Sequence, residues 1–408
     1  MVDAAAQSNK SPEQLFAEQL IAHCTGNRRT IEALLEALVK VESPTGHREG
    51  LAKCLEVMEG GFSSMGFTTA MLGGSKNSQH LLARRPGGDG APTILLMGHV
   101  DTVFEAGGPF SDFKRDGDRA MGPGVGAKGG SVCILALLDA LKPLGLLDAF
   151  DFRVLITTDG ESMSETSATL VSKVASGSEI ALIFEASSEA GSLIKGRTGA
   201  GQFEFSVAGR TAQMSGNVLA GRNAILELAH KIPQIDTITH PKSGVVANCA
   251  LIQGGQKARL VPDRARLVVD VTCKTPESVA GVKTRLQQIA DDVMMDGCVT
   301  TLSGEFARSP WPEHPHTNEL LEIWAETGRT FGIQNLTGEI GGSAGDANHV
   351  FAAGVPVLDG LGPISGGSQT TAEWVDLGSI VQRTALNAMS LVTWLHRRAQ
   401  GIWRPKTG

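Results

Sequence analysis

The 408-residue chain contains no tyrosine, few aromatic side chains of any kind (5%) and comparatively few charges (19%). It has no excess of positive charge: 36 lysines and arginines face 43 aspartates and glutamates, for a formal net charge of −7. Phosphate backbones and anionic lipids repel such a balance, so no nucleic acid and no membrane is expected as a partner. No apolar run approaches the roughly 20 residues that cross a bilayer. The opening MVDAAAQSNKSPEQLFAEQLIAH has neither the basic start nor the apolar core of an export signal. A cytoplasmic location is the expectation. The cysteines Cys24, Cys54, Cys133, Cys249, Cys273 and Cys298 stand singly with no Cys-x-x-Cys pair. That argues against a disulfide framework or a cysteine-zinc cluster and for reduced, buried thiols.

What is present is a globular composition with 41% hydrophobic residues and 50 glycines, the glycines collected in short loop clusters. Clusters of that kind suit tight turns around a site. The length suits two domains, each with its own core.

Helical periodicity runs from about Arg29 to Val41 and from Glu49 to Met65, before a first strand near His80 to Ala83. The runs TILLMGHVDTVF from Thr93, DFRVLITTDGES and EIALIFEASS are short apolar strands ending in polar residues, with a helical stretch at Gly129 to Leu141 between the first two. Continuous apolar strands alternating with helices predict an α/β domain whose mostly parallel sheet is flanked by helices. In such sheets the site lies at the carboxyl ends of the strands, where His99, Asp101, Asp159, Glu161 and Glu185 fall. After Gly196 the strands alternate like half-exposed ones, and the order β, α, β, β, α, β over about Thr198 to Ala307 predicts an inserted ferredoxin-like α+β domain. Helical texture then returns at Glu319 to Gly332 and near Gly378 to Arg398. The expected organisation is a discontinuous domain of 1–197 and 308–408 with 198–307 inserted.

GHVDTVF at 98–104 is a His-x-Asp at a strand end, which suits an imidazole oriented by a carboxylate. Taken with GPGVGAKGG at 122–130, TTDGES at 157–162, FEASS at 184–188, GRNAI at 221–225 and DGLGPISGG at 359–367, the sequence resembles the M20 metallopeptidase and amidohydrolase family. The likeness is to its glutamate carboxypeptidase and N-acyl-amino-acid hydrolase branch, and it runs from about Ile31 to Arg397.

That resemblance implies two zinc ions bridged by an aspartate and a water, a glutamate as general base, and a histidine contributed by the inserted domain. On this basis His99 corresponds to a ligand of the first ion with Asp101 as its orienting partner, Glu185 to a carboxylate ligand of that ion, and Glu161 to a carboxylate of the second. Other positions depart from the pattern. Gly126 and Ala127 stand, one residue short, where the bridging aspartate belongs, and Gly160 replaces the general base. Gln369 and Gln213 replace two histidines, and Thr272 replaces an arginine. A catalytic zinc generally takes three protein ligands, and glutamine is a poor one. The expectation is therefore no cofactor, with one zinc ion on the remnant ligands His99, Glu161 and Glu185 as the alternative.

Lys128, the Gly341-Gly342 turn, Asp346, Asn348 and the Gly-Leu-Gly-Pro at 360–363 all remain, which favours a repurposed site over a decayed one. His349 is the one other histidine considered as a substitute ligand. Arg308 corresponds to the family's substrate-carboxylate clamp and Asn248 to a polar contact; with Gln213 and Gln369 they are the candidate substrate-binding residues for a small-molecule carboxylate. The leading expectation is metal-independent acid/base chemistry by His99, Glu161 and Glu185, supported by Asp101. A residual single-metal amidohydrolase and a non-catalytic binding or scaffold subunit are the alternatives. A homodimer through an edge strand of the inserted sheet is also expected.

Overall fold

The computed structural model describes residues 11–73 and 78–403, so residues 1–10, read above for the lack of an export signal, lie outside the described residues. By its internal contacts the chain divides into two compact units. The first contains the described residues of Met1–Lys195, Glu313–Ile340 and His349–Gly408; the second is Gly196–Pro312 with Gly341–Asn348.

In the first unit a six-stranded sheet runs in the order Thr68–Gly73, Gln79–Arg85, Asp151–Thr157, Thr93–His99, Ile180–Ile183, Val357–Leu358. The last four strands are mutually parallel, and Gln79–Arg85 runs antiparallel to both its neighbours, Thr68–Gly73 and Asp151–Thr157. The central strand, Thr93–His99, is buried at every residue after Thr93. Its apolar run ILLM has no polar alternation because helices cover both sheet faces. The helix Val125–Leu141 packs on this strand and on the C-terminal helix Leu377–Ala399, and it is apolar on nearly every side because it is buried along nearly its whole length.

Register sets the site. His99 lies level with Thr157, and Met97 with Ile183, so the three strand ends reach one edge together. A second, small sheet pairs Trp374–Asp376 with Arg119–Met121 and brings Glu373 to the loop that opens the helix Val125–Leu141.

Two details differ from the sequence reading. That helix starts at Val125 rather than Gly129, which puts Gly126 and Ala127 in its first turn. A helix at Pro12–Gly26 escaped the periodicity argument because its apolar residues are spread around it; its signal was the capping box, in which the Gln14 backbone N–H donates to Ser11 Oγ (3.2 Å) and the Ser11 N–H to Gln14 Oε1 (2.9 Å).

The second unit is a four-stranded antiparallel sheet in the order Val246–Gly254, Arg264–Cys273, Gly199–Ala208, Val299–Arg308, with the helices Ala224–Asp236 and Pro276–Asp291 packed on it. Phe205, Leu228, Val269 and Leu286 belong to its separate core. The unit reaches beyond 198–307 at both ends and takes in 341–348. The reason lies in long-range hydrogen bonds: Thr198 Oγ1 donates to the Gly342 carbonyl (2.9 Å), and Asn348 Nδ2 donates to the carbonyls of Thr198 (3.0 Å) and Ser309 (2.7 Å). No helix among the described residues is long and apolar enough to cross a membrane.

Candidate active site

His99 ends the central strand with its side chain only 6% exposed. Nδ1 lies 2.8 Å from Asp101 Oδ1, and Nε2 points the other way, 3.5 Å from Glu185 Oε2. Burial alone would lower the imidazole pKa, but Glu185 and Asp101 outweigh it and hold it well above its ordinary value. Asp101 is completely buried, which would raise its own pKa, yet His99 and four donated hydrogen bonds keep it ionised and below the usual range. The four are from His99 Nδ1, Thr45 Oγ1 (2.7 Å) and the backbone N–H groups of Gly160 and Glu161 (both 3.0 Å). One carboxylate thus orients the ring and grips the turn that carries Glu161.

The ring also lies against Gly160. A Cβ built there would sit 2.7 Å from His99 Cγ and 2.9 Å from Nδ1, closer than real contacts allow. The absence of a side chain at Gly160 is therefore part of what lets His99 occupy its place.

Glu161 Oε2 accepts a hydrogen bond from Gln369 Nε2 (2.6 Å), and Gln369 holds a left-handed φ of 61° to deliver it. Burial raises the Glu161 pKa; His99 pulls it down, and Glu185 and Asp101 push it further up.

A further carboxyl, absent from the sequence reading, belongs to this neighbourhood. Glu373, 5% exposed, accepts from the N–H of Gly126 (3.0 Å) and of Gly124 (3.3 Å) at the start of the helix Val125–Leu141. A helix N-terminus with no side-chain cap of its own is a natural seat for an anion. Burial nevertheless dominates those two bonds and raises the Glu373 pKa to about 7, with Glu161 and His99 also felt electrostatically. Its weak sequence signal is a glutamate next to Trp374, the start of the small strand that positions it.

His99, Asp101, Glu161, Glu185 and Gln369 are thus brought together in the first unit. Gln213, Asn248 and Arg308 belong to the second unit, with Gln213 and Asn248 exposed. Arg308 is buried and committed to Asp346 (3.0 Å) and to the carbonyl of Ala344 (3.1 Å), so its guanidinium serves an internal ion pair. Asn348 spends its amide on backbone carbonyls. His349 lies in the short helix Ala347–Ala352. Lys128, fully buried, donates to the Val41 carbonyl (2.9 Å), and burial lowers its pKa. Among the described residues, no three or more His, Cys, Asp or Glu side chains are arranged to hold a metal ion. A concavity of about 970 Å³ in the second unit is lined by Met214, Leu219, Ile225 and Met294 among others, with no histidine in its lining.

A mostly parallel sheet that gathers an oriented imidazole and several carboxyls at its carboxyl edge, with an α+β domain inserted in the chain, is an α/β architecture with its polar groups where such sheets carry their sites. Comparison with known proteins identifies the lineage. Peptidase family M20/M25/M40 matches residues 95–391, and the chain belongs to that family. Carboxypeptidase G2 of Pseudomonas sp. (strain RS-16) is 27% identical over 379 residues, covering 90% of each chain. A tripeptidase from Staphylococcus aureus superposes with a TM-score of 0.74 at 20% identity, over 91% of this chain and 99% of that one. An M20 family metallo-carboxypeptidase from Sulfolobus solfataricus gives 0.70 at 14% identity, over 90% and 99%.

Proposed function

We propose that the protein is an enzyme acting on a small amide, amino-acid or N-acyl-amino-acid-like carboxylate by acid/base chemistry that needs no metal-bound water. Cyclisation, acyl transfer and proton transfer all fit. The observation that carries the reading is the His99 imidazole, seated on Gly160 and held between Asp101 and Glu185, with the Glu161 carboxyl on the same turn. The relatives' names, carboxypeptidase and tripeptidase, support an amide-type substrate.

The donor set does not fit a two-zinc centre. Gly126, Ala127 and Gly160 offer no side-chain ligand, and Gln369 offers only a neutral amide, whose Nε2 donates to Glu161. In the proposed chemistry His99 gives the Nε2 proton to the departing or developing anionic atom, and Glu185 stabilises the charged ring. Glu161, made more basic by burial, takes the proton of the attacking group. Asp101 fixes the ring and remains ionised throughout. A ligand carboxylate meeting Arg308 would compete with Asp346 for it. We further infer a homodimer formed through an edge of the inserted sheet.

The test is to strip the protein with chelator and screen N-acyl-amino acids for turnover by mass spectrometry. Turnover that survives the chelator, and falls by ~10²–10⁴ in His99→Ala and Glu161→Gln, is the expected result. Loss with chelator and recovery with zinc would replace this reading by a single-ion amidohydrolase. Variants that leave every biological activity intact would point to a binding or scaffold subunit.

A further inference from the structure

The turn that carries Glu161 is strained. Two successive residues with side chains, Met163 and Ser164, hold left-handed φ values of 63° and 58°. Such conformations persist only where the surroundings over-determine them. Asp101 grips the start of the turn through Gly160 and Glu161. Its far end is gripped by Asp159, whose Oδ2 accepts from Thr166 N (2.7 Å), Thr166 Oγ1 (2.6 Å) and Ser167 N (2.9 Å).

Behind these bonds sits His80, fully buried on the strand Gln79–Arg85. The backbone N–H of Thr158 lies 3.3 Å from His80 Nδ1, and His80 Nε2 lies 3.1 Å from Thr166 Oγ1. A backbone N–H can only donate, so Nδ1 accepts; the Thr158 hydroxyl, 3.4 Å from Nδ1, gives its own proton to the Gln79 carbonyl (2.9 Å), and the ring proton is assigned to Nε2. That proton goes to Thr166 Oγ1, which also accepts from Ser78 Oγ (2.9 Å). With both lone pairs used, the Thr166 hydroxyl has one proton left, and it goes to Asp159. The Thr158 N–H at one end, which can only donate, and the Asp159 carboxylate at the other, which accepts, give the chain its direction.

We propose that His80 and Thr166 are positioning residues. With Asp159 they form a directed hydrogen-bond chain that ties both ends of the 158–167 turn and so sets the place of the Glu161 carboxyl beside His99. This rests on the reading of Glu161 as an acid/base group. Neither His80 nor Thr166 faces the reaction; each acts through the turn.

The test uses the full chain. Ring nitrogen spectra of wild type at neutral pH should identify His80 as the neutral tautomer protonated on Nε2; a ring protonated on Nδ1, or on both nitrogens, overturns the proposal. Thr166→Val keeps the shape but removes the hydroxyl, and His80→Phe removes the hydrogen bonds of both ring nitrogens. Each should speed amide exchange across 158–167 by about tenfold, with the rest of the first unit unchanged. Thr166→Ser should restore wild-type exchange. On an N-acyl-amino acid that wild type turns over, Thr166→Val should lower kcat and leave KM in place. Wild-type exchange in Thr166→Val, or full kcat in it while Glu161→Gln is inactive, overturns the proposal and spares the reading of Glu161. Full turnover in Glu161→Gln sinks that reading, and the proposal with it.

Discussion

At the residue scale the site is governed by burial acting on a few ionisable groups. Glu373 makes the point, because two backbone N–H groups favour its ionised form and desolvation still wins, with a pKa near 7 against an ordinary 4.5. A carboxyl whose folded-state pKa is raised binds more protons in the native state than in the unfolded one between those two values. Its contribution to stability is therefore complete below pH 4.5 and is lost as the pH rises through about 7. That loss is of order 3 kcal/mol if Glu373 alone is counted. Denaturant titrations at pH 5 and pH 8 should show wild type less stable at the higher pH, and Glu373→Gln should remove much of the difference. An unchanged difference in the variant would place the pH dependence elsewhere. Gly160 shows the opposite kind of control, in which a missing atom decides where the imidazole of His99 can lie. Glu185 and Glu161 were readable as strand-end carboxyls; Glu373 was not, because it is 249 residues from Gly124, one of the two backbone groups that hold it.

At the element scale, helix starts are held by side chains, by the distant Glu373 at Val125–Leu141 and by a local cap at the C-terminal helix. The C-terminal helix Leu377–Ala399 starts at Asp376, whose Oδ1 accepts from Ser379 N (3.1 Å), while Ser379 Oγ accepts from Ile364 N (2.9 Å). The cap thereby ties the helix to the segment after Gly-Leu-Gly-Pro. Asp376→Ala should cost ~1 kcal/mol of stability, seen as a lower denaturation midpoint with an unchanged slope. A midpoint equal to wild type would mean that water replaces the cap without loss. The second unit shows a buried version of the same device. Lys231 donates to the carbonyls of Ile289 (2.9 Å), in the last turn of the helix Pro276–Asp291, and of Asp292 (2.6 Å), just past it, and Glu227 accepts from the N–H of Met295 (2.7 Å). Both side chains are almost completely buried, and the pair (3.1 Å apart) is compensated by these backbone partners. Helical spacing revealed that helix; nothing in the spacing revealed why two charges sit on its buried face.

At the scale of the whole molecule, the open question with the most direct measurement is assembly. The edge strand Val246–Gly254 of the inserted sheet exposes Leu251 and Ile252, 58% and 56% accessible, beside unpaired backbone groups. Edges of that kind pair with other strands unless charge or proline blocks them. Light scattering should therefore give twice the mass of one chain, and Leu251→Lys with Ile252→Lys should bring it down to one. A wild-type monomer would remove the dimer.

The sequence by itself determined the apolar strands, the helices between them, the inserted βαββαβ unit and the presence of His99, Asp101, Glu161 and Glu185 at strand ends, because periodicity and strand polarity are local properties. Only the tertiary structure decided what those residues meet. The pairing of Arg308 with Asp346, the capture of 341–348 by the second unit, the arrival of Glu373 at a helix start, and the chain from His80 to Asp159 each join residues far apart in the sequence or turn on a burial that no single segment contains. Desolvation and hydrogen-bond direction are properties of an enclosed volume, and the volume exists only once the sheet has closed over its helices.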